Sequence, residues 1–297
     1  IDGRNVILGS KDSSMLDYWI PDFQINTPSA KITCTAACPT ERRGFVWITE
    51  ITNTSNARLS LKAGWSGAWV DSSITAIRSK SMFGLKNIRV ENDGNSTAVM
   101  EFRGQTPIFA LALMTPDCRE CAVGDPDYDE MLMQAPAEIS TEVARSVGFM
   151  FASDIEMEPG EHKTLTLYAS IGLEEVSAVA SAREMWLQGG NTILDHTRKW
   201  LNERVIEYSD PDIKRVINLN SFYNYFYTLA TTLDTEEFIV TASRNPYSDS
   251  CGIYRDRDAM RWSLPAVLQV SWSHARQMLI YALTTQLTSV GAHSRFI

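Results

Sequence analysis

Phe45-Val-Trp-Ile-Thr-Glu-Ile51, the turn set Asn53-Thr-Ser-Asn56 and the alternating run Leu59-Ser-Leu-Lys-Ala63 decide the class of the first half of this chain. Apolar residues at every second position put one face of a segment on a core and leave the other wet, which is the period of an antiparallel strand. The two runs read as a hairpin. The same period returns where Val147, Phe149 and Phe151 share a face, and Pro159-Gly160 makes a turn before Leu165, Leu167 and Ala169 resume it. Phe109-Ala-Leu-Ala-Leu-Met114 has no polar face and reads as a strand covered on both sides. Many strands without intervening helices predict an antiparallel β-sandwich over residues 1–172.

After Gly172 the apolar period becomes helical. Val176, Val179, Ala180, Arg183 and Trp186 mark a first helix that Gly189-Gly190 ends, and Ile193 to Arg204 form a second; together they read as a helical linker over residues 173–208. Asp210-Pro211 opens a third helix with an N-cap carboxylate and a proline whose missing N–H costs nothing there. Its apolar stripe is Ile213, Val216, Ile217, Tyr223 and Tyr227, so residues 209–297 form a separate helical domain. A polar loop, Ser243-Arg-Asn-Pro-Tyr-Ser-Asp-Ser-Cys-Gly252, interrupts it. Pro265 must then kink the following helix or lie in its first turn. Ser273 caps a last helix that places Ala275, Met278, Leu279, Ala282, Leu283 and Leu287 on one face, and Gly291 stops it.

The 297 residues are 44% hydrophobic and carry a formal net charge of -9, ample for large cores and opposed to binding a phosphate backbone. No apolar run approaches the ~20 residues that cross a bilayer, and the N-terminus has no basic-then-apolar signal character. Nucleic acid and membrane are therefore not expected as partners; a neutral ligand such as a sugar fits the charge. Five cysteines, an odd number, point to a reducing compartment and a cytoplasmic location. Cys34-Thr-Ala-Ala-Cys38 and Cys118-Arg-Glu-Cys121 can form a four-thiolate zinc site if two sandwich loops converge, or they are metal-free loop and core cysteines. Asn53-Thr-Ser55 and Asn95-Ser-Thr97 fit glycosylation acceptors, which matters only for a secreted eukaryotic product. Asp125-Pro-Asp-Tyr-Asp129 alternates carboxylates as a calcium loop does, but has Glu130 and Pro136 where such a loop needs glycine and glutamate.

One motif carries chemistry: Gly252-Ile-Tyr-Arg-Asp-Arg-Asp-Ala-Met-Arg-Trp-Ser-Leu-Pro265. With Glu158-Pro-Gly-Glu161, Leu165-Thr-Leu-Tyr168, Tyr281-Ala-Leu-Thr-Thr-Gln-Leu and Gly291-Ala-His-Ser294, it resembles the bacterial glucoamylase-like and glycogen-debranching-like glycoside hydrolases. The resemblance implies an N-terminal β-supersandwich, a helical linker and an (α/α)6 barrel of six helical hairpins. It assigns Arg257 and Asp258 to hydroxyls of the sugar in the innermost subsite. Residue chemistry agrees, because a guanidinium supplies forked donors and a carboxylate supplies acceptors for vicinal hydroxyls. Asp256 joins them, and Tyr254 is the stacking candidate. The alternative is a solvated ion-pair cluster of Arg255, Asp256, Arg257 and Asp258. Arg255-Asp256 departs from the aromatic residue and Thr usual in glucoamylases, which leaves the sugar open.

Asp256 and Asp258 do not suit an inverting acid and base, which stand roughly 6.5–9.5 Å apart across the bond, since residues two apart on a helix diverge. The resemblance places the catalytic carboxylates on later barrel loops, beyond Ile297. The helical signals after Gly172 are fewer than a six-hairpin barrel needs, so the barrel is expected to be incomplete and the isolated chain inactive. Its apolar faces are expected to associate with the remaining barrel part or with another copy. No cofactor is expected. An inverting disaccharide phosphorylase, with phosphate in place of water, and a non-catalytic carbohydrate-binding fragment are the competing readings.

Overall fold

The alternating segments are strands and the helically spaced ones are helices in the computed structural model, which describes residues 13–40, 42–70, 84–92, 96–103, 109–124, 146–231, 238–240 and 259–288. The chain divides into two compact units, Ile1–Leu16 with Ile20–Lys199, and Asp17–Trp19 with Trp200–Ile297. The motif residues Tyr254, Asp256, Arg257 and Asp258 lie outside the described residues, as do the Asp125–Pro136 loop and Cys251.

The first unit holds β1 (Ser13–Leu16), β2 (Ile20–Asn26), β3 (Ala30–Ala37), β4 (Gly44–Asn53), β5 (Leu59–Val70), β6 (Gly84–Asn92), β7 (Ser96–Arg103), β8 (Phe109–Thr115), β9 (Glu120–Gly124), β10 (Ser146–Met157) and β11 (His162–Gly172). They pair antiparallel into an eight-stranded sheet, β1-β2-β3-β4-β11-β8-β7-β6, and a three-stranded sheet, β5-β10-β9. Helices α1 (Glu175–Gln188) and α2 (Gly190–Asn202) follow.

Side-chain alternation makes the large sheet a middle layer. On one face Leu111, Leu113, Leu167 and Ala169 pack with Phe151 of the small sheet, and Ile51 and Leu165 with Leu59, Leu61, Ile155 and Met157. On the other, Ala110, Ala112 and Met114 meet Ala178, Val179 and Ala182 of α1, while Val46, Ile48 and Tyr168 meet Met185 and Ile193. This is why β8 is apolar on both faces. It also means that α1 and most of α2, read from sequence as a linker, belong to the sandwich unit, and the division falls between Lys199 and Trp200. Gly189, at φ 88°, ends α1 in a backbone conformation that side chains disfavour. Gly190 starts α2 hard against the sheet: a Cβ there would lie 2.9 Å from Thr166 Cγ2, and its N–H donates to the Tyr168 hydroxyl at 3.2 Å.

The expected hairpin is not formed. β4 pairs with β3 and β11, and β5 pairs with β10, so residues 54–58 cross from one sheet to the other. Asn53 makes that crossing. It is 1% exposed, and its Nδ2 donates to the carbonyls of Ala57 at 2.9 Å and Met157 at 3.1 Å. Its Oδ1 accepts from the backbone N–H and hydroxyl of Ser55, an Asx turn that bends the chain out of the ladder. Its backbone N–H donates to Glu161 O and its carbonyl accepts from Gly160 N, both at 3.0 Å, which locks the β10–β11 crossing to the same point. With both amide protons used, no glycan can be attached without opening this corner, so Asn53 is not the glycosylation acceptor its tripeptide suggested.

Asp117 closes a third gap. β8 leaves β11 beyond the Met114–Tyr168 pairing, and the Asp117 carboxylate takes over by accepting from Thr166 N–H at 2.7 Å. Burial pushes its pKa above the ordinary carboxylate value, against the lowering effect of that bond.

Asn53→Ala removes both donors and the Ser55 acceptor and leaves the buried Met157 carbonyl short of a partner. It is expected to lower stability by about 2–4 kcal/mol, as much as truncating a core leucine, read from the urea midpoint.

Candidate functional site

The second unit is built on α3 (Pro211–Thr228), where Asp210 accepts from the N–H groups of Asp212 and Ile213 and Pro211 follows the cap, as the sequence predicts. The face it buries is not the predicted one. Asn218, Ser221, Phe222, Tyr225 and Thr228 are buried, whereas Ile213, Val216, Tyr223 and Tyr227 are 40–58% exposed. Polar groups explain the choice, because the inner face carries bonding partners rather than only apolar area. Asn218 donates to Ile206 O at 2.9 Å and Lys214 O at 2.7 Å and accepts from Ile206 N at 2.7 Å, which satisfies the chain entering the helix. The same rotation leaves Val176 of α1 exposed at 73% while Ala178, Val179, Ala182 and Met185 are buried.

Strands β12 (Leu229–Thr231) and β13 (Phe238–Val240) pair after α3. A π-turn, Ala259–Ser263, then leads into α4 (Leu264–Val270) and α5 (Trp272–Thr288). Pro265 lies in the first turn of α4, one of the two placements its chemistry allows. The last helix begins at Trp272, one residue before the predicted cap: Ser271 Oγ, not Ser273, accepts from the His274 N–H, at 3.4 Å. On that helix Ala275, Met278 and Ala282 are buried, but Leu279 and Leu283 are 41% and 59% exposed.

Two side-chain bonds tie these helices together. The Ser221 hydroxyl donates to Gln269 Oε1 at 3.3 Å, and the Tyr225 hydroxyl lies 2.5 Å from His274 Nδ1. Burial lowers the His274 pKa, with the nearby Arg204 charge acting in the same direction, and burial raises that of Tyr225. Both groups are therefore neutral at neutral pH, and the tautomer of the imidazole sets which of the two donates. Arg204 stacks over Trp200 at 4.0 Å and donates to the Trp200 carbonyl at 2.8 Å. Trp200 and Phe226 pack beside Tyr225, and Trp19 stacks on Phe226 with centroids 4.9 Å apart. Asp17 and Tyr18, at φ 45° and 67°, adopt a left-handed turn that costs free energy in non-glycine residues; Tyr18 and Trp19 packing on α3 offsets it.

The motif Tyr254–Asp258 directly precedes the π-turn in sequence. α3, α4 and β13 pack on the π-turn, and Ser263 at its end is 2% exposed. Arg261 and Trp262 face outward from it, Trp262 at 69% exposure, with the guanidinium 5.3 Å from the indole centroid. Sequence reasoning gave neither residue a role, although both stand within the quoted motif. The Tyr225–His274 pair was also missed, and its 49-residue separation leaves no local signal.

The four grouped cysteines do not assemble. Cys34 lies in β3 beside the Thr49 hydroxyl, Cys38 is exposed, and Cys118 and Cys121 pack into the Leu111–Phe151 core. All four are free thiols, and among the described residues no group of three or more His, Cys, Asp or Glu side chains is placed to hold a metal. Burial pushes the Cys118 and Cys121 thiols up to about 12. Among the described residues no helix is long and apolar enough to cross a membrane.

No family model matches the chain, and no curated protein matches it. Solved structures match it in fold. A protein described as a kojibiose phosphorylase from the human microbiome superposes with a TM-score of 0.57 at 12% identity, over 90% of this chain and 34% of that one. A bacterial glucoamylase in complex with acarbose superposes with a TM-score of 0.52 at 10% identity, over 93% of this chain and 42% of that one. The chain spans well under half the length of these enzymes and shares the fold of the matching portions.

The neutral Tyr225–His274 pair makes stability depend on pH with a definite sign. His274 has a lowered pKa in the folded state, so its contribution is complete above the ordinary value of 6.5 and is lost as pH falls through the depressed one. Melting temperatures of the wild type should drop more steeply below pH 6.5 than those of His274→Gln, whose uncharged amide cannot titrate.

Proposed function

We propose that this chain is the sandwich and the opening helices of an (α/α)6 barrel in a carbohydrate-active enzyme, an inverting glycoside hydrolase that acts on α-glucosides or related oligosaccharides. The observation that carries the reading is the fold match to a glucoamylase over 93% of the chain, in a sequence that also bears the Arg257-Asp258 pair. In this reading Arg257 donates to vicinal sugar hydroxyls, Asp258 accepts from them, Asp256 supports the pair and Tyr254 stacks on the ring. Binding that tightens as the ring flattens towards its oxocarbenium-like transition state would lower the barrier as well as hold the substrate. The acid and base are not assigned to residues of this chain. The role is positioning, and the isolated chain is expected to bind sugar without cleaving it.

A second reading is favoured by the match to the kojibiose phosphorylase: the same wall would serve an inverting phosphorylase in which phosphate replaces the attacking water and its base. Sugar release by the whole protein that depends on inorganic phosphate selects this reading, and release in phosphate-free buffer selects hydrolysis.

The outward residues Ile213, Val216, Leu268, Leu279, Ile280 and Leu283 leave the helical unit with more exposed apolar area than a solvated surface carries at low cost. We propose that these faces associate, with the rest of the barrel or with a second copy. The isolated chain should therefore elute above its monomer mass of 33.3 kDa in size exclusion with light scattering, and Val216→Lys with Leu283→Glu should return it to that mass.

For the sugar site, maltotetraose affinity is expected to fall at least ~10-fold in Arg257→Ala and in Asp258→Ala, the loss of one charge-assisted bond or more. Calorimetric titration of variants with wild-type melting temperatures reads it; unchanged affinity in both would remove these residues from the site.

A further inference from the structure

Trp262 and Arg261 stand in an unusual piece of backbone. A π-helix is rare, because its wide turn packs poorly, and single π-turns concentrate at functional sites. Here it has a local cause. Pro265 has no N–H to return to the Arg261 carbonyl, so α4 cannot extend backwards as an α-helix, and the extra residue is absorbed within Ala259–Ser263. Ser263 goes inward at 2% exposure, and the two residues before it are turned out.

The outcome is a tryptophan 69% exposed with a guanidinium 5.3 Å from its ring centroid. Exposure alone does not distinguish it, since Trp272 is 71% exposed in the same unit. Three features together do: Trp262 lies on the π-turn, it is paired with a cation, and it follows Asp258 by four residues and Arg257 by five. One guanidinium can cover only one face of an indole, so the other remains available. An indole face suits the C–H face of a pyranose ring, and Arg261 beside it offers forked donors to the hydroxyls at the ring edge.

Building on the sugar-site reading above, we propose that Trp262 and Arg261 form an additional stacking subsite, which binds a neighbouring glucose unit of the oligosaccharide whose terminal unit Arg257 and Asp258 hold. The ligand class is a neutral α-glucan oligosaccharide of at least two units. Arg261 sets the ring plane of Trp262 through the cation–π contact and contributes one hydrogen-bonding edge.

The test titrates maltotetraose and glucose into the wild-type chain and into Trp262→Ala, Trp262→Phe, Trp272→Ala and Arg257→Ala, following affinity by calorimetry and indole fluorescence in parallel. Trp262 is exposed, so its variants are expected to melt as the wild type does. The proposal expects at least a tenfold affinity loss for maltotetraose in Trp262→Ala, less than threefold in Trp262→Phe and none in Trp272→Ala. Glucose affinity should be unchanged by either Trp262 variant, and the ligand-induced fluorescence change should disappear in Trp262→Phe although binding persists. Wild-type maltotetraose affinity in Trp262→Ala, with a loss in Arg257→Ala, overturns the subsite and leaves the sugar-site reading standing. An equal loss in Trp272→Ala also overturns it, as does the absence of maltotetraose binding to the wild type, which removes both.

Discussion

The buried side chain of Asn53 is the constraint on which the sandwich depends. A two-sheet sandwich needs its chain to cross between sheets, and at each crossing the backbone leaves a ladder with polar groups that water cannot reach. Asn53 meets this need at two crossings together. Its amide and carbonyl oxygen serve the β4–β5 crossing, its amide also reaches the Met157 carbonyl, and its backbone bonds to Gly160 and Glu161. A hydrophobic residue would fill the space, keep the two backbone bonds and leave the buried Met157 carbonyl without this donor. Asp117 does the same work at the β8–β9 crossing, at the cost of a partly buried carboxylate.

The helical unit follows the same logic with different residues. The contacts of its helices within the described residues mix apolar packing with single polar ties: Asn218 to the incoming chain, Ser221 to Gln269 and Tyr225 to His274. Such ties hold α3, α4 and α5 in one arrangement at modest energy, because each replaces a bond to water. What they fix is the π-turn Ala259–Ser263, closed by the buried Ser263 and packed on by α3, α4 and β13. In the functional reading proposed, the sandwich and α1–α2 supply stability, and the chemistry of recognition gathers around residues 254–262.

Much of the local structure was legible in the sequence. Strand alternation, the change of period at Gly172, the Asp210-Pro211 start, the Gly189 stop and the doubly covered β8 are set by interactions within a few residues, and the structure reproduces them. The motif Tyr254–Asp258 was read as a sugar site by resemblance and by the chemistry of its donors and acceptors, and it lies outside the described residues.

Only tertiary structure decided which elements meet. Alternation says that β4 and β5 each have an apolar face but not whether they pair, and the outcome rested on Asn53 contacting Met157, 104 residues away. An apolar stripe on α3 says that one face is fit for burial; the face chosen was the one whose Asn218, Ser221 and Tyr225 found partners. Cysteine spacing allowed a metal site, but among the described residues the four thiols do not come together in a metal-holding group. Sequence determines local preference because it acts through neighbours along the chain. Pairing, facing and assembly are settled by which distant groups can satisfy one another once water is removed.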